Sequence, residues 1–451
     1  MNTIDANQLY DKSKFNRFHF KLLFWCFLII LFDGYDTAIY GAVVPVLMEE
    51  WALSPVQTGA IGSYTVIGTV VGAVGMSMAA DRIGPKKIVI SSVVIFSFFT
   101  CLSGFANSPL LFAVLRVLAG VGLGGVMPNI VALSTEFSPK KIRSTMVAMI
   151  FCGYSVGSMI IALLSKFVIE TYGWKPLFWL AAVPLLLVPF MLKALPESLR
   201  VLANQGRDRE ILAIMKKAVP NEKFSEATKF ACAGSGMEKA SIRKLMSEKR
   251  SLSSVMFWVI SFSCFLLIYA MNTWLTKLML QAGYDLSSSL LFLALLNVGA
   301  TIGTIVIGPL LDKYGAKKVL IPLFFAGALS LIFISVAPHI VIAYILVGII
   351  GAASIGIHNL LNPVVSQYYP PEVRSTALGI MMAFGRLGGI MSPTLVGLLM
   401  SQNLSVQANF TVISLACIVG AIAILLVQEK YSYQYTAKDE QKIPLYNKQL
   451  G

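Results

Sequence analysis

Four charged side chains stand inside long apolar runs of this 451-residue chain: Asp33, Asp36, Arg116 and Arg386. A charge deep in a bilayer-length apolar segment costs about 2.5 to 3.5 kcal/mol even on the lenient insertion scale, so these residues are the first candidates for chemistry. Asp33 and Asp36 are three residues apart and Tyr40 follows four later, so all three share one helix face. Gly34 between the acids lets a neighbouring helix come close. Asp33 falls roughly 12 residues into its apolar run, about 18 Å at 1.5 Å per residue, near the middle of a bilayer. Two acids beside one base, Arg116, leave a carboxylate to titrate, which is the chemistry of proton coupling. The plainer alternative is a charge-neutralising pair with Arg116 that only holds helices together. Arg386, flanked by Gly385, Gly388 and Gly389, has no acid in the apolar runs of its own half. Its planar fork suits a carboxylate ligand, and the alternative is a structural pairing across to Asp33 or Asp36.

The elements that must position these residues follow from composition. The chain is 57% hydrophobic and only 13% charged, with a mean hydropathy of +0.75, which excludes an ordinary soluble protein. A crossing helix needs about 20 apolar residues, and twelve windows meet that: 20–47, 56–79, 88–106, 110–133, 145–168, 176–194, 252–276, 288–311, 318–336, 340–362, 376–400 and 407–427. They predict a cytoplasmic tail over 1–19, a six-helix bundle over 20–194, a cytoplasmic linker with short helices over 195–250, a second bundle over 251–427 and a cytoplasmic tail over 428–451. Residues 1–19 are polar and no small-residue cleavage site follows the first run, so that run is expected to stay as a span. The net charge of +14 would suggest a nucleic-acid partner in a soluble protein. Here 31 of the 36 Lys and Arg fall in segments on one side and three, Lys166, Lys175 and Lys277, on the other. That asymmetry predicts a multi-pass protein in a lipid bilayer with both termini cytoplasmic, and no nucleic acid. The six cysteines show no metal or redox spacing, so neither disulfide nor metal is expected.

The two halves repeat. Asp81-Arg82-Ile83-Gly84-Pro85-Lys86-Lys87 after span 2 returns as Asp312-Lys313-Tyr314-Gly315-Ala316-Lys317-Lys318 after span 8, an offset of 231. Pro139 and Arg143-Ser144-Thr145 return as Pro370 and Arg374-Ser375-Thr376 at the same offset. An identical offset across two separate polar loops implies duplication, with a central cavity between the halves.

The paired loop pattern in a twelve-span chain resembles the major facilitator superfamily signature, with Ser77 in place of the usual Gly in the first copy. Asp33-Gly34-Tyr35-Asp36, with Arg116 and Gly120-x-Gly122-x-Gly124-Gly125-x-x-Pro128-Asn129, is similar to the aromatic acid:proton symporter family within it. The resemblance implies an all-α membrane protein, twelve transmembrane helices in two pseudo-symmetric six-helix bundles around a central cavity. It also implies uptake of a benzoate or hydroxybenzoate with protons across a bacterial-type inner membrane, by a monomer without cofactor, driven by the proton gradient. By that likeness Asp33 and Asp36 couple protons, Arg116 and Arg386 are required for transport, and Asp81 and Asp312 belong to a conformational switch. Arg82, Gly84, Lys86, Glu136, Arg143, Gly315 and Arg374 are expected around that switch. Asp81 would accept from a helix N-terminus as a cytoplasmic clamp, and Glu136 would pair with Arg143 or another loop cation. Arg82, Lys86 and Lys87 also enforce topology.

An aromatic monocarboxylate asks for one cation and ring-faced walls. Tyr35, Tyr40, Tyr154, Phe178, Trp179, Tyr269, Trp274 and Phe384 are candidate walls, with Asn272, Asn297, His358 and Asn359 available to a ring hydroxyl; each has an ordinary packing or interfacial alternative. Two enzyme-like patterns are rejected. Gly153-Tyr154-Ser155-Val156-Gly157 and Gly120-Val121-Gly122-Leu123-Gly124-Gly125 need a strand–turn–helix setting, and both lie in apolar helical runs, so no catalytic residue is assigned. The rivals are carriers of another organic anion (an aliphatic carboxylate, a sugar acid, a nicotinate-like ring) or a drug-efflux antiporter. The last is disfavoured because Ser158, not Pro, follows Gly157.

Overall fold

A computed structural model describes residues 3–5, 15–139, 142–220, 229–231, 245–246, 249–336, 339–402 and 404–433. Each apolar window matches a helical span to within a few residues. The twelve spans are Arg17–Glu50, Pro55–Ala80, Pro85–Ser103, Pro109–Glu136, Thr145–Tyr172, Lys175–Ala194, Ser251–Gln281, Leu286–Leu311, Ala316–Ile334, Ile340–Tyr368, Thr376–Ser401 and Val406–Leu426. Local chemistry sets their ends. Asn16 caps span 1 by accepting from the Phe18 and His19 amides, while its own amide donates to His19 Nδ1, a reciprocal capping box. Ser108 and Pro109 start span 4, and Asp285 and Ser405 cap spans 8 and 12.

Two spans are uneven. Span 6 is a short helix, Lys175–Leu180, then a turn, then Val183–Ala194; Pro184, lacking an amide hydrogen, fits the new first turn. Span 10 carries a π-helical segment, Ala352–Gly356, between Ile340–Gly351 and Ile357–Tyr368. The one strand pairing among the described residues is a three-residue parallel ladder, Thr3–Asp5 against Lys229–Ala231, so the protein is all-α in architecture.

The chain forms two compact units, Met1–Ala52 with Tyr64–Ser235, and Leu53–Ser63 with Gly236–Gly451. In the first, glycines replace side chains where backbones meet. A Cβ on Gly34 would overlap the Tyr154 carbonyl, and Gly157 sits equally tightly on Leu31, so spans 1 and 5 touch along a small-residue seam. Gly120 and Gly124 face span 2 at Thr65 and Thr69, and Gly122 and Gly125 face span 3 at Phe96 and Ser92. Both enzyme-like patterns are therefore helix-packing seams. The short helix Asp208–Ala218 buries Ile211, Leu212 and Met215 in a core shared with Leu22, Cys26 and Phe137.

In the second unit Gly385 and Gly388 bring span 11 against span 7, and Gly351 brings span 10 against span 8 at Leu296. The first turns of span 2 belong here: the Ser63 and Thr394 hydroxyls lie 2.8 Å apart. Many large apolar side chains face outward, Leu110 at 76% and Leu186 at 73% exposure among them. A soluble protein would bury them; a lipid-facing surface does not need to.

Candidate functional site

The first unit builds its site on span 1. Asp33 and Asp36 are both buried there, on one face. Arg116 of span 4 turns its fork onto Asp36: Nη1 donates to Oδ1 at 2.9 Å, Nη2 to Oδ2 at 3.0 Å, and Nη2 also to the Asp36 carbonyl at 3.2 Å. Thr100 of span 3 completes the cluster, donating to Asp36 Oδ1 while accepting from Arg116 Nη1 at 3.3 Å. Arg116 and Asp36 are each 1% exposed, so this is a desolvated, bidentate ion pair. Of the two acids the guanidinium holds Asp36. Gly34 makes the arrangement possible: its close contact with span 5 leaves its carbonyl to accept from Ser158 Oγ at 2.9 Å, fixing the helix between the acids.

Several expected walls are placed in packing. The Tyr35 hydroxyl donates to the Leu177 carbonyl at 2.7 Å, tying span 1 to span 6. Tyr40 lies tilted against Phe112, which meets Trp51, Trp174 and Phe178 edge-on. Trp179 is 41% exposed and lies against Phe105, the position of an interfacial anchor. Tyr154 is half-buried on the seam with Gly34.

In the second unit Trp274 is fully buried and its Nε1 donates to the Pro393 carbonyl at 2.9 Å, so it ties span 7 to span 11. Phe384 is exposed and stacks on Trp258 at 4.6 Å. Asn359 is exposed and donates to Thr304 Oγ1 at 3.3 Å. Asn272 and Asn297 donate back to the Ile268 and Leu293 carbonyls at 2.9 and 3.0 Å. Among the described residues their buried Oδ1 atoms have no hydrogen-bond partner. Arg386 is half-buried and an electrostatic neighbour of His358, whose ring meets Phe265 edge-on at 4.6 Å. Tyr269 lies parallel to Phe265 at 6.2 Å.

The switch residues give a mixed result. Asp81 and Asp312 have side chains outside the described residues. Gly84 has φ 99° and Gly315 φ 87°, a backbone only glycine takes freely, at equivalent places in the repeat. The Glu197 carboxylate lies where a Cβ on Gly84 would stand, and Lys86 has Glu197 and Glu210 as electrostatic neighbours. Arg82 is exposed. Arg143 donates to the Ser138 carbonyl at 3.3 Å, and its repeat partner Arg374 reaches the Tyr369 carbonyl at 3.5 Å.

Glu136 departs from expectation. Among the described residues its partners are the Leu199 amide at 2.7 Å, the Ser198 hydroxyl at 3.0 Å and the Arg200 amide at 3.4 Å, and not Arg143. The orphan amides at the start of helix Leu199–Asn204 offer a carboxylate several donors and the positive end of a dipole.

Sequence reasoning passed over Thr100, Phe265 and Glu197. A hydroxyl in an apolar span is common, and Thr100 carries no sign that sets it apart from Ser92 or Ser97; only the fold places it between Asp36 and Arg116.

Comparison with known proteins agrees with this architecture. The family model described as Major Facilitator Superfamily matches residues 26–393 and 294–449. The chain is 40% identical to the benzoate transport protein of Acinetobacter baylyi over 438 residues, 96% of this chain and 94% of that one. It is 32% identical to the gentisate transporter of Corynebacterium glutamicum, covering 93% of this chain and 89% of that one. It is 28% identical to the 4-hydroxybenzoate transporter PcaK of A. baylyi, covering 94% of each. Among solved structures, the partially occluded inward-open xylose transporter XylE of E. coli superposes with a TM-score of 0.72 at 18% identity, over 91% of this chain and 98% of that one. Twelve spans in two repeated halves, a membrane exterior and these matches make the chain a membrane transporter and not an enzyme: it belongs to the major facilitator superfamily.

Proposed function

We propose that this carrier imports an aromatic carboxylic acid of the benzoate or hydroxybenzoate class together with protons, by alternating access across a bacterial-type inner membrane. The observation that carries the reading is the buried Asp36–Arg116 pair with Asp33 one turn away, in a chain 40% identical to a benzoate transport protein. A carboxylate held by a guanidinium in a dry site is sensitive to any change of charge or hydration around it. Proton uptake at Asp36 weakens the hold on Arg116, and at Asp33 it removes a second negative charge beside the pair, so the state of this unit depends on protons. Arg386 supplies the cation for the substrate carboxylate. No cofactor takes part, since the proton gradient drives uptake. The carrier acts as a monomer, with both termini in the cytoplasm, the side to which 31 Lys and Arg assign them.

The test is counterflow and uphill uptake of labelled benzoate in proteoliposomes, with and without an imposed pH gradient. A panel of hydroxybenzoates, nicotinate, an aliphatic monocarboxylate and a sugar acid competes. Inhibition by the ring acids alone, and accumulation only with an acid exterior, are expected. Accumulation without a pH gradient, or strongest competition by a non-aromatic acid, refutes the reading.

A further inference from the structure

The two halves part company at one turn. Residues 352–356 of span 10 form the π segment, whereas their counterparts 231 positions earlier, Val121–Gly125, lie within the unbroken α-helix Pro109–Glu136. The flanking seams still correspond, Gly120 against span 2 and Gly351 against span 8. A π turn inserts one extra residue and occurs mostly at functional sites. It rotates the C-terminal remainder of the helix by about 100°, one residue's share of an α-helical turn. The first polar side chain after it is His358, which the extra residue brings to the place of the apolar Val126 in the first half, just as Gly356 meets Ala300 and Thr304 where Gly124 meets Thr69 and Ala73.

The surroundings of His358 have the make-up of a ligand subsite. Its ring stands edge-on to Phe265 of span 7, with planes at 77°. Gly385 brings span 11 onto the same phenyl ring, a Cβ there falling 2.6 Å from Phe265 Cδ2. Arg386, the next residue, is the electrostatic neighbour of the imidazole. Among the described residues His358 Nδ1 is buried without a hydrogen-bond partner, as is Ser261 Oγ, one turn before Phe265. Buried polar atoms are almost always satisfied, by the chain, by water or by a ligand, and a ligand hydroxyl is a partner these two atoms could take.

We propose that His358 is a specificity-determining residue of the substrate site, its Nδ1 hydrogen-bonding a hydroxyl on the substrate ring while Phe265 faces the ring and Arg386 takes the carboxylate. The inference rests on the aromatic-acid reading above and narrows it to hydroxybenzoates. An imidazole nitrogen can give or accept a hydrogen bond according to tautomer, which suits a hydroxyl, while a carboxylate needs the guanidinium. A benzoate without the hydroxyl leaves Nδ1 unsatisfied, and a site built to bond a hydroxyl discriminates against the analogue that lacks it.

The experiment measures equilibrium binding of benzoate and of 2-, 3- and 4-hydroxybenzoate to the purified full chain. At least one hydroxybenzoate is expected to bind about tenfold more tightly than benzoate, equal to about 1.4 kcal/mol. His358→Leu collapses that ratio toward one. His358→Asn places an amide near the Nδ1 position and keeps most of the ratio, while His358→Gln, which reaches toward Nε2, does not. If the Leu variant fails to fold, the Asn–Gln comparison carries the test. An unchanged ratio in His358→Leu, equal ratios in the Asn and Gln variants, or no preference in the unaltered protein overturns the assignment. Binding of no aromatic acid at all overturns the proposed function itself. Benzoate uptake with a ratio indifferent to His358 overturns the subsite alone.

Discussion

The Asp36–Arg116 pair makes opposite predictions for stability and for function. Removing one partner strands a desolvated charge, so Arg116→Gln should cost about 3 to 5 kcal/mol, whereas removing both ends costs less. The double variant Asp36→Asn with Arg116→Gln is therefore expected to unfold at a higher temperature in detergent than Arg116→Gln alone. Additive losses would mean the pair does not couple. Asp33→Asn leaves the Arg116 fork on Asp36 intact, so this variant should fold normally and keep counterflow while losing uphill accumulation. Full accumulation by Asp33→Asn would remove Asp33 from proton coupling. The four intramembrane charges were legible in the sequence because a charge in an apolar run is conspicuous. The partner of Arg116 was not, since Asp33 and Asp36 share a face and only three-dimensional placement chooses between them. Thr100 and Phe265 were invisible for the opposite reason: their types are ordinary in membrane helices.

Helices as elements were legible from window length, but their interruptions were not. Pro184 stands at the break in span 6 and Gly351 and Gly356 bracket the π segment, but Gly and Pro recur along unbroken spans as well, so neither announces an interruption. The link between span 4 and the helix Leu199–Asn204 was likewise hidden, because Glu136 binds backbone amides, and amides look alike in any sequence. That link is testable. A carboxylate capping a helix N-terminus contributes about 1 kcal/mol through hydrogen bonds and the helix dipole. Glu136→Ala should loosen Leu199–Asn204 and with it the backbone around Arg207 and Arg209, whose side chains are already exposed, so limited trypsin digestion of the purified protein should cut there several-fold faster. Glu136→Gln, which keeps one acceptor oxygen, should fall between. Equal cleavage of all three proteins would show that the cap does not hold this segment.

At the scale of the whole molecule, duplication is the most legible feature, because two loops at one offset are improbable by chance, and the structure gives it a geometric form. Gly84 and Gly315 take the same positive φ, and Arg143 and Arg374 reach back to carbonyls five residues earlier in their own halves. Repetition alone does not say which side of the membrane these loops face; the Lys and Arg distribution supplies a prediction. Positive residues resist translocation, so the side holding 31 of them is expected inside and the side holding three outside. Orientation can be read by labelling single cysteines in intact cells with a membrane-impermeant maleimide. Gln281 is exposed at the last residue of span 7 on the sparsely charged side, and Tyr433 is 40% exposed beyond span 12 on the basic side. Gln281→Cys should label in intact cells, and Tyr433→Cys only after permeabilisation. Among the described residues the native thiols interfere little, since Cys26, Cys264 and Cys417 are buried and Cys101 and Cys152 are half-buried; Cys232, outside them, is replaced by serine for the assay. The reverse pattern would invert the molecule, placing the Gly84 and Gly315 loops outside and undoing the assignment of a cytoplasmic switch to them.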